Sequence, residues 1–193
     1  MKIEPNFSEE DIIEAMGELK GYIDLTPHDF KELYIKVYQQ ARRRILESKK
    51  AGEIMNSPAV LISDTASVSD LVELLDQKGI SGLPVVDAQG NLTGVVSEKD
   101  VLLALGERPS AGPMRLVSRF CDVPQAVCGD IRLKKVREIM SSPAVSIPAE
   151  ATLAELLSLF ESRAINRLPV TGPDGQVSGI ITRADLISAV SGL

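Results

Sequence analysis

Between residues 26 and 48 the apolar side chains recur at three- and four-residue spacing. Phe30, Leu33, Tyr34, Val37, Tyr38, Ala41 and Ile45 form one stripe of a predicted helix. Thr26 caps it, Pro27 takes its first position and Asp29 faces the positive end of its dipole, so the helix is expected to run to about Ser48. A shorter helix precedes it, opened by Ser8 with Asp11, edged by Ile12, Ile13 and Met16, and ended by Gly21. The longer stripe needs a cover. It packs either on the rest of its own chain or on a partner protein or second copy through residues 27–48. The Arg42-Arg43-Arg44 run reads as a solvated face rather than an anion site.

After residue 50 the periodicity changes. Val60-Leu61-Ile62 is a short strand candidate after Pro58, and a helix follows, opened by Ser67 with Asp70 and buried along Leu71, Leu74 and Leu75. A second strand begins at Leu83-Pro84-Val85-Val86. It turns at Gly90 into a third, Thr93 to Val96, and Ser97 caps a last helix. The same pattern then occurs again at one constant offset. Val145-Ser146-Ile147, a helix opened by Thr152 with Glu155, Leu168-Pro169-Val170, a turn at Asp174-Gly175, Ser178 to Ile181 and a cap at Thr182 repeat it without a gap.

Tandem duplication of a unit of about fifty residues therefore organises the chain. It predicts an α/β (α+β) fold of two β-α-β-β-α repeats packed about a pseudo-twofold axis and preceded by two helices. The divisions are a helical extension over 1–50, repeat 1 over 51–105, a connecting loop over 106–135 and repeat 2 over 136–193. Within the loop a short helix around Leu116 to Phe120 is the only periodic signal.

At 193 residues with a net charge of -6, acids and bases interspersed, the chain shows no basic face for nucleic acid. No apolar run approaches the ~18 residues of a spanning helix, and the N-terminus has no targeting pattern, so a cytoplasmic protein without membrane attachment is expected. Cys121, Cys128 and His28 do not amount to a closed zinc site, and they leave no usual nucleophile and base, so neither metal chemistry nor catalysis is expected. The two thiols read as small residues in a reduced compartment, with a regulatory disulfide as the alternative.

The informative polar residues end each repeat, Ser97-Glu98-Lys99-Asp100 and Thr182-Arg183-Ala184-Asp185. Taken singly each pair is a helix N-cap. Each also follows an apolar strand that holds a glycine, Gly94 or Gly179, where a ligand or backbone can approach closely. A carboxylate there can accept both hydroxyls of a ribose, and the hydroxyl and free amides of the helix start can hold phosphate oxygens. Backbone near Val60 or Val145 and near Ile80 or Ile165 would then meet the edge of an adenine.

The order Ile-Met-x-x-Pro-x-Val, then Ile-x-x-Leu-Pro-Val, then Gly-x-x-Ser/Thr-x-x-Asp, twice in register over about 53–104 and 138–190, resembles a tandem pair of CBS domains. The resemblance implies a non-catalytic, commonly dimeric disc with two clefts for a regulatory adenosine compound such as AMP, ADP, ATP or S-adenosylmethionine. By position it implies ribose contacts from Asp100 and Asp185, polar contacts from Ser97 and Thr182, and a phosphate contact from Arg167 beside Asn166. The copies differ. Lys99 has Ala184 as its counterpart, with Arg183 one place earlier, and Ser81-Gly82 stands where the second copy has Asn166-Arg167. Unequal clefts are expected, the better one joining Asp185 with Arg167. The alternative is an assembly module whose clefts are empty and whose acids are caps.

Overall fold

The computed structural model describes residues 8–18, 25–105 and 131–191. The 116–120 helix, Cys121, Cys128, Gly21 and most of the connecting loop lie outside the described residues. Two compact units are formed, one ending at Lys49 and the other beginning at Lys50.

In the first unit α1 (Glu9–Glu18) and α2 (Pro27–Ser48) pack on each other, with Ile12 buried. Reciprocal capping boxes start both helices: Ser8 and Asp11, then Thr26 and Asp29, exchange side-chain and backbone hydrogen bonds of 2.6–3.2 Å. No residue of α2 is buried, and Leu33, Tyr34 and Val37 are 50%, 44% and 56% exposed. Arg43 bonds Glu47 at 2.8 Å one turn on, as a solvated helix face does.

The second unit opens with a single helical turn, α3 (Ala51–Ile54). Then β1 (Ile62–Ser63), α4 (Val68–Lys78), β2 (Gly82–Val86), β3 (Leu92–Ser97) and α5 (Glu98–Ala104) make one half. A 3-10 turn at Val136–Glu138 leads to β4 (Ile147–Pro148), α6 (Leu153–Arg163), β5 (Arg167–Thr171), β6 (Val177–Thr182) and α7 (Arg183–Val190). Each half holds a three-stranded sheet whose middle strand pairs parallel with the first and antiparallel with the last. The first strands fall two residues later than the apolar pattern predicts: Val60 and Val145 are half-buried, and the ladder begins at Ile62 and Ile147. No helix among the described residues is long and apolar enough to cross a membrane.

The core of each half is built from the predicted faces. Leu71, Leu83, Val85, Val96 and Val101 are inaccessible in one, Leu153, Leu156, Leu168, Val170 and Ile181 in the other, and each such side chain contributes roughly 1.5–3 kcal/mol on leaving water. The halves are nevertheless not the sequence repeats. Val136, which precedes the second copy, lies in the first core. Its N–H donates to Ala66 O at 2.9 Å and that of Arg137 to Asp64 O at 3.0 Å. Symmetrically, Ala51 N donates to Ala151 O at 2.7 Å and Gly52 N to Ala149 O at 2.9 Å. The segment leading into each copy therefore completes the other half.

The exchange continues into the sheets. Asn56 makes a two-bond antiparallel bridge with Ile180 (2.9 and 3.1 Å), and Ser141 makes the matching bridge with Val95 (2.9 and 3.0 Å). Ser57 Oγ donates to Ser178 O and Ser142 Oγ to Thr93 O, both at 2.9 Å. Behind each bridge a methionine fills the space over a glycine. A Cβ on Gly94 would stand 2.5 Å from Met140 Sδ and 2.9 Å from Ser141 O; on Gly179 it would strike Met55 Sδ and lie 3.0 Å from Asn56 O. The two glycines thus admit a methionine and a backbone strand of the opposite half, which accounts for them without a ligand.

Gly94→Ala is accordingly expected to destabilise the protein by about 1–3 kcal/mol in urea unfolding, since Ser141 is held by its bridge and cannot withdraw. Capping also predicts an acid dependence. Hydrogen bonds from Ser67 hold the Asp70 carboxyl below its ordinary 3.8, and those from Thr152 hold Glu155 below its ordinary 4.5. A carboxyl depressed on folding stabilises fully above its unfolded pKa and loses that contribution as pH falls through the folded one. The midpoint of thermal unfolding should stay level from pH 7 to about 5 and drop below about 4, and the double variant S67A/T152A should flatten that drop.

Candidate functional site

Strand β3 delivers Ser97 to the start of α5, and β6 delivers Thr182 to the start of α7. In both places the side chain closes a capping box. Ser97 donates to Asp100 Oδ2 through its hydroxyl at 2.5 Å and its N–H at 2.8 Å; Thr182 donates to Asp185 Oδ2 at 2.6 and 2.7 Å. Each acid therefore caps a helix with one oxygen. Among the described residues no donor reaches Asp100 Oδ1. Burial opposes ionisation of Asp185, but its hydrogen bonds, those from Thr182 foremost, outweigh it and hold the carboxyl below its ordinary value.

A cavity of about 360 Å³ lies over Asp100. Ser97, Lys99 and Asp100 line it from the first copy; Ser141, Val145, Ile165, Asn166 and Arg167 line it from the second. The remaining predicted residues are placed elsewhere. Thr182 and Asp185 cap α7, Val60 and Ile80 are half-buried, Ile80 against the core of the first half, and Arg183 Nε donates to the Ile165 carbonyl at 3.0 Å, bracing the chain that borders the cavity.

The expected pairing of Asp185 with Arg167 is exchanged. Arg167 lies opposite Thr182 in the β5–β6 ladder, yet its side chain crosses the pseudo-twofold axis, where Nη2 donates to Ser81 Oγ at 2.8 Å. There it covers Gly82, the equivalent position of the first copy; a Cβ on Gly82 would strike the guanidinium and lie 2.5 Å from Val96 O. Position 82 admits no side chain: the backbone carbonyl of Val96 blocks a Cβ there, and the space left open is taken by the Arg167 guanidinium. Burial pushes the guanidinium down from its usual value, and Asp100, then Glu98, work against that. Glu98 is itself pushed up by burial, with Arg167 opposing.

Sequence reasoning passed over Asn56, Ser141 and Ala164. The first two were visible as a mismatch between the copies, Asn against Ser, at the position after each Ile-Met pair. Ala164 ends α6 at φ 50, where Gly79 ends α4 at φ 61, and it borders the cavity. A left-handed alanine costs roughly 1–2 kcal/mol that glycine avoids, and no composition signal marks it.

Several known proteins are similar to this chain over its two repeats. The uncharacterized protein MJ1426 of Methanocaldococcus jannaschii is 28% identical over 155 residues, 72% of this chain and 89% of its own length. The inosine-5'-monophosphate dehydrogenase of the same organism is 25% identical over 139 residues, but the match spans 23% of that enzyme. Among solved structures, CBSX2 in complex with AMP superposes with a TM-score of 0.58 at 28% identity, covering 75% of this chain and 98% of that one. The CBS domain model matches residues 51–107 and again 136–192. This chain belongs to the CBS domain family and carries the domain twice in tandem.

Proposed function

We propose that the chain is a regulatory module that binds an adenosine nucleotide, AMP foremost, in the cavity over Asp100. The observation that carries the reading is the open Oδ1 of Asp100 facing a space shared with Arg167, Lys99 and the apolar Val145 and Ile165. A carboxylate oxygen without a donor accepts the two ribose hydroxyls, the cations face the phosphate, and the apolar walls take the base. Its volume stands at the low end of the ~300–1,000 Å³ of small-molecule sites, which favours one phosphate over three. Two cations also disfavour the sulfonium of S-adenosylmethionine. The AMP complex of CBSX2 supports the same assignment.

Both halves line the cavity, so a bound nucleotide favours whichever arrangement of the halves fits it best, and by linkage any partner that reads that arrangement responds to ligand. No histidine or cysteine lines the space and the Ser97 hydroxyl is held by Asp100, so the role is sensing rather than catalysis. We place the module in the cytoplasm as a homodimer, with Leu33, Tyr34 and Val37 of α2 as the contact surface for a second copy. Two observations favour the other reading, a ligand-free assembly module: both acids are helix caps, and the space over both Gly94 and Gly179 is filled by methionine.

A thermal-shift series separates the two. AMP at a hundred times its dissociation constant adds about 2.7 kcal/mol and should raise the midpoint by roughly 5–10 °C, whereas an assembly module shows no shift with AMP, ADP, ATP or S-adenosylmethionine. Asp100→Ala should weaken AMP by about 1–3 kcal/mol. Asp185→Ala, which removes the same kind of cap, should leave affinity unchanged, and equal losses in both would sink the site assignment. For the dimer, Val37→Glu should halve the mass measured by light scattering while AMP binding persists.

A further inference from the structure

The cation that crosses the pseudo-twofold axis is held by a neutral partner. Arg167 starts β5 of the second half and lines the cavity over Asp100, while its Nη2 donates at 2.8 Å to Oγ of Ser81, a first-half residue outside the cavity's lining. The backbone fixes where that hydroxyl stands. The Ser81 carbonyl accepts the Glu98 N–H at 3.1 Å, which ties it to the first turn of α5, and Gly82 after it is buried in the β2–β3 ladder opposite Ser97. Burial works against the charge of Arg167, and Asp100 and Glu98 support it. Among the described residues its side-chain hydrogen bond nevertheless goes to the hydroxyl and to neither carboxylate. The equivalent of Ser81 is Asn166, whose carbonyl accepts the Arg183 N–H at 3.3 Å in the same way. The contact runs in one direction only, since Gly82 has no side chain to offer Asn166.

We infer that Ser81 is a positioning residue: by holding the Arg167 guanidinium at the cavity, it sets a preference for a phosphorylated nucleoside over the bare nucleoside. The inference rests on the nucleotide reading of the Asp100 cavity. An uncharged acceptor uses one N–H of the guanidinium and leaves its charge and its other donors for a phosphate. A carboxylate at position 81 would pair with both prongs of the fork and neutralise the cation before any ligand arrived. With no acceptor there, the long side chain spreads over its rotamers, and a phosphate has to order it on binding. Gly82 makes the arrangement possible, because the guanidinium occupies the room that a side chain there would take.

Calorimetric titration of the full chain with AMP and with adenosine tests this. The wild type should bind AMP more tightly than adenosine by on the order of tenfold or more, the scale of a hydrogen bond to a charged group. Ser81→Ala should weaken AMP about three- to tenfold while adenosine affinity holds. Ser81→Thr, which keeps the hydroxyl, should restore AMP, and Ser81→Asp should bring AMP down toward adenosine. Ser81 is exposed, so the alanine and threonine variants should keep the thermal midpoint of the wild type. An unchanged AMP preference in Ser81→Ala overturns the inference and leaves the Asp100 site standing. Equal losses of AMP and adenosine in that variant, or no recovery in Ser81→Thr, also overturn it, since either makes Ser81 a structural residue only. A wild type that binds neither ligand overturns the inference and the nucleotide reading together.

Discussion

The structure depends on a reciprocal exchange: the segment entering each copy is hydrogen-bonded into the other half. Residues 50–57 complete the sheet and core that hold β6, and residues 134–142 complete those that hold β3. Neither half has a closed core without the other's entry strand, because Val136 is buried in the first and Ala51 in the second. Two such halves are expected to unfold together as one cooperative unit rather than as two small domains, each of which would be marginal alone. The cavity over Asp100 is a by-product of the same exchange. Each capping acid is carried by one copy and faced by the entry strand of the other.

Much of this is legible in the sequence. Local signals did most of it: the capping pairs Thr26 with Asp29, Ser67 with Asp70 and Thr152 with Glu155 start helices where their spacing predicts. The alternation around Leu83 to Val96 and Leu168 to Ile181 marks the hairpins. What stayed hidden was non-local. Periodicity tells which face of Met55 to Val60 is apolar, but nothing in it says which half that face enters. Gly94 and Gly179 were visible as close approaches, and only the fold shows that a methionine makes them. Ala164 hides for a different reason, because a left-handed turn is announced by glycine and here an alanine adopts it.

The candidate site shows the same division. Seven of its predicted residues, Ser97, Lys99, Asp100, Val145, Ile165, Asn166 and Arg167, line one space. Their grouping could not be read, because Arg167 is sequence-adjacent to one acid's sheet and reaches across to the other's. Capping and ligand recognition also turn out not to compete for the same atoms. A carboxylate has two oxygens; Oδ2 serves the helix at both Asp100 and Asp185, and the cap does not use Oδ1. The helix cap therefore orients the acid that the cleft presents.

Gly82 and Arg167 carry a consequence for how such a protein can arise. They occupy one position of the repeat and meet at the axis that relates the copies. An assembly of two identical single repeats would place the same residue on both sides of that axis. Two glycines would leave it without a cation, and two arginines would collide there with like charge. A lone arginine at the centre is open to a chain whose copies are covalently joined and free to diverge, with a glycine on the facing copy leaving the room that the guanidinium fills.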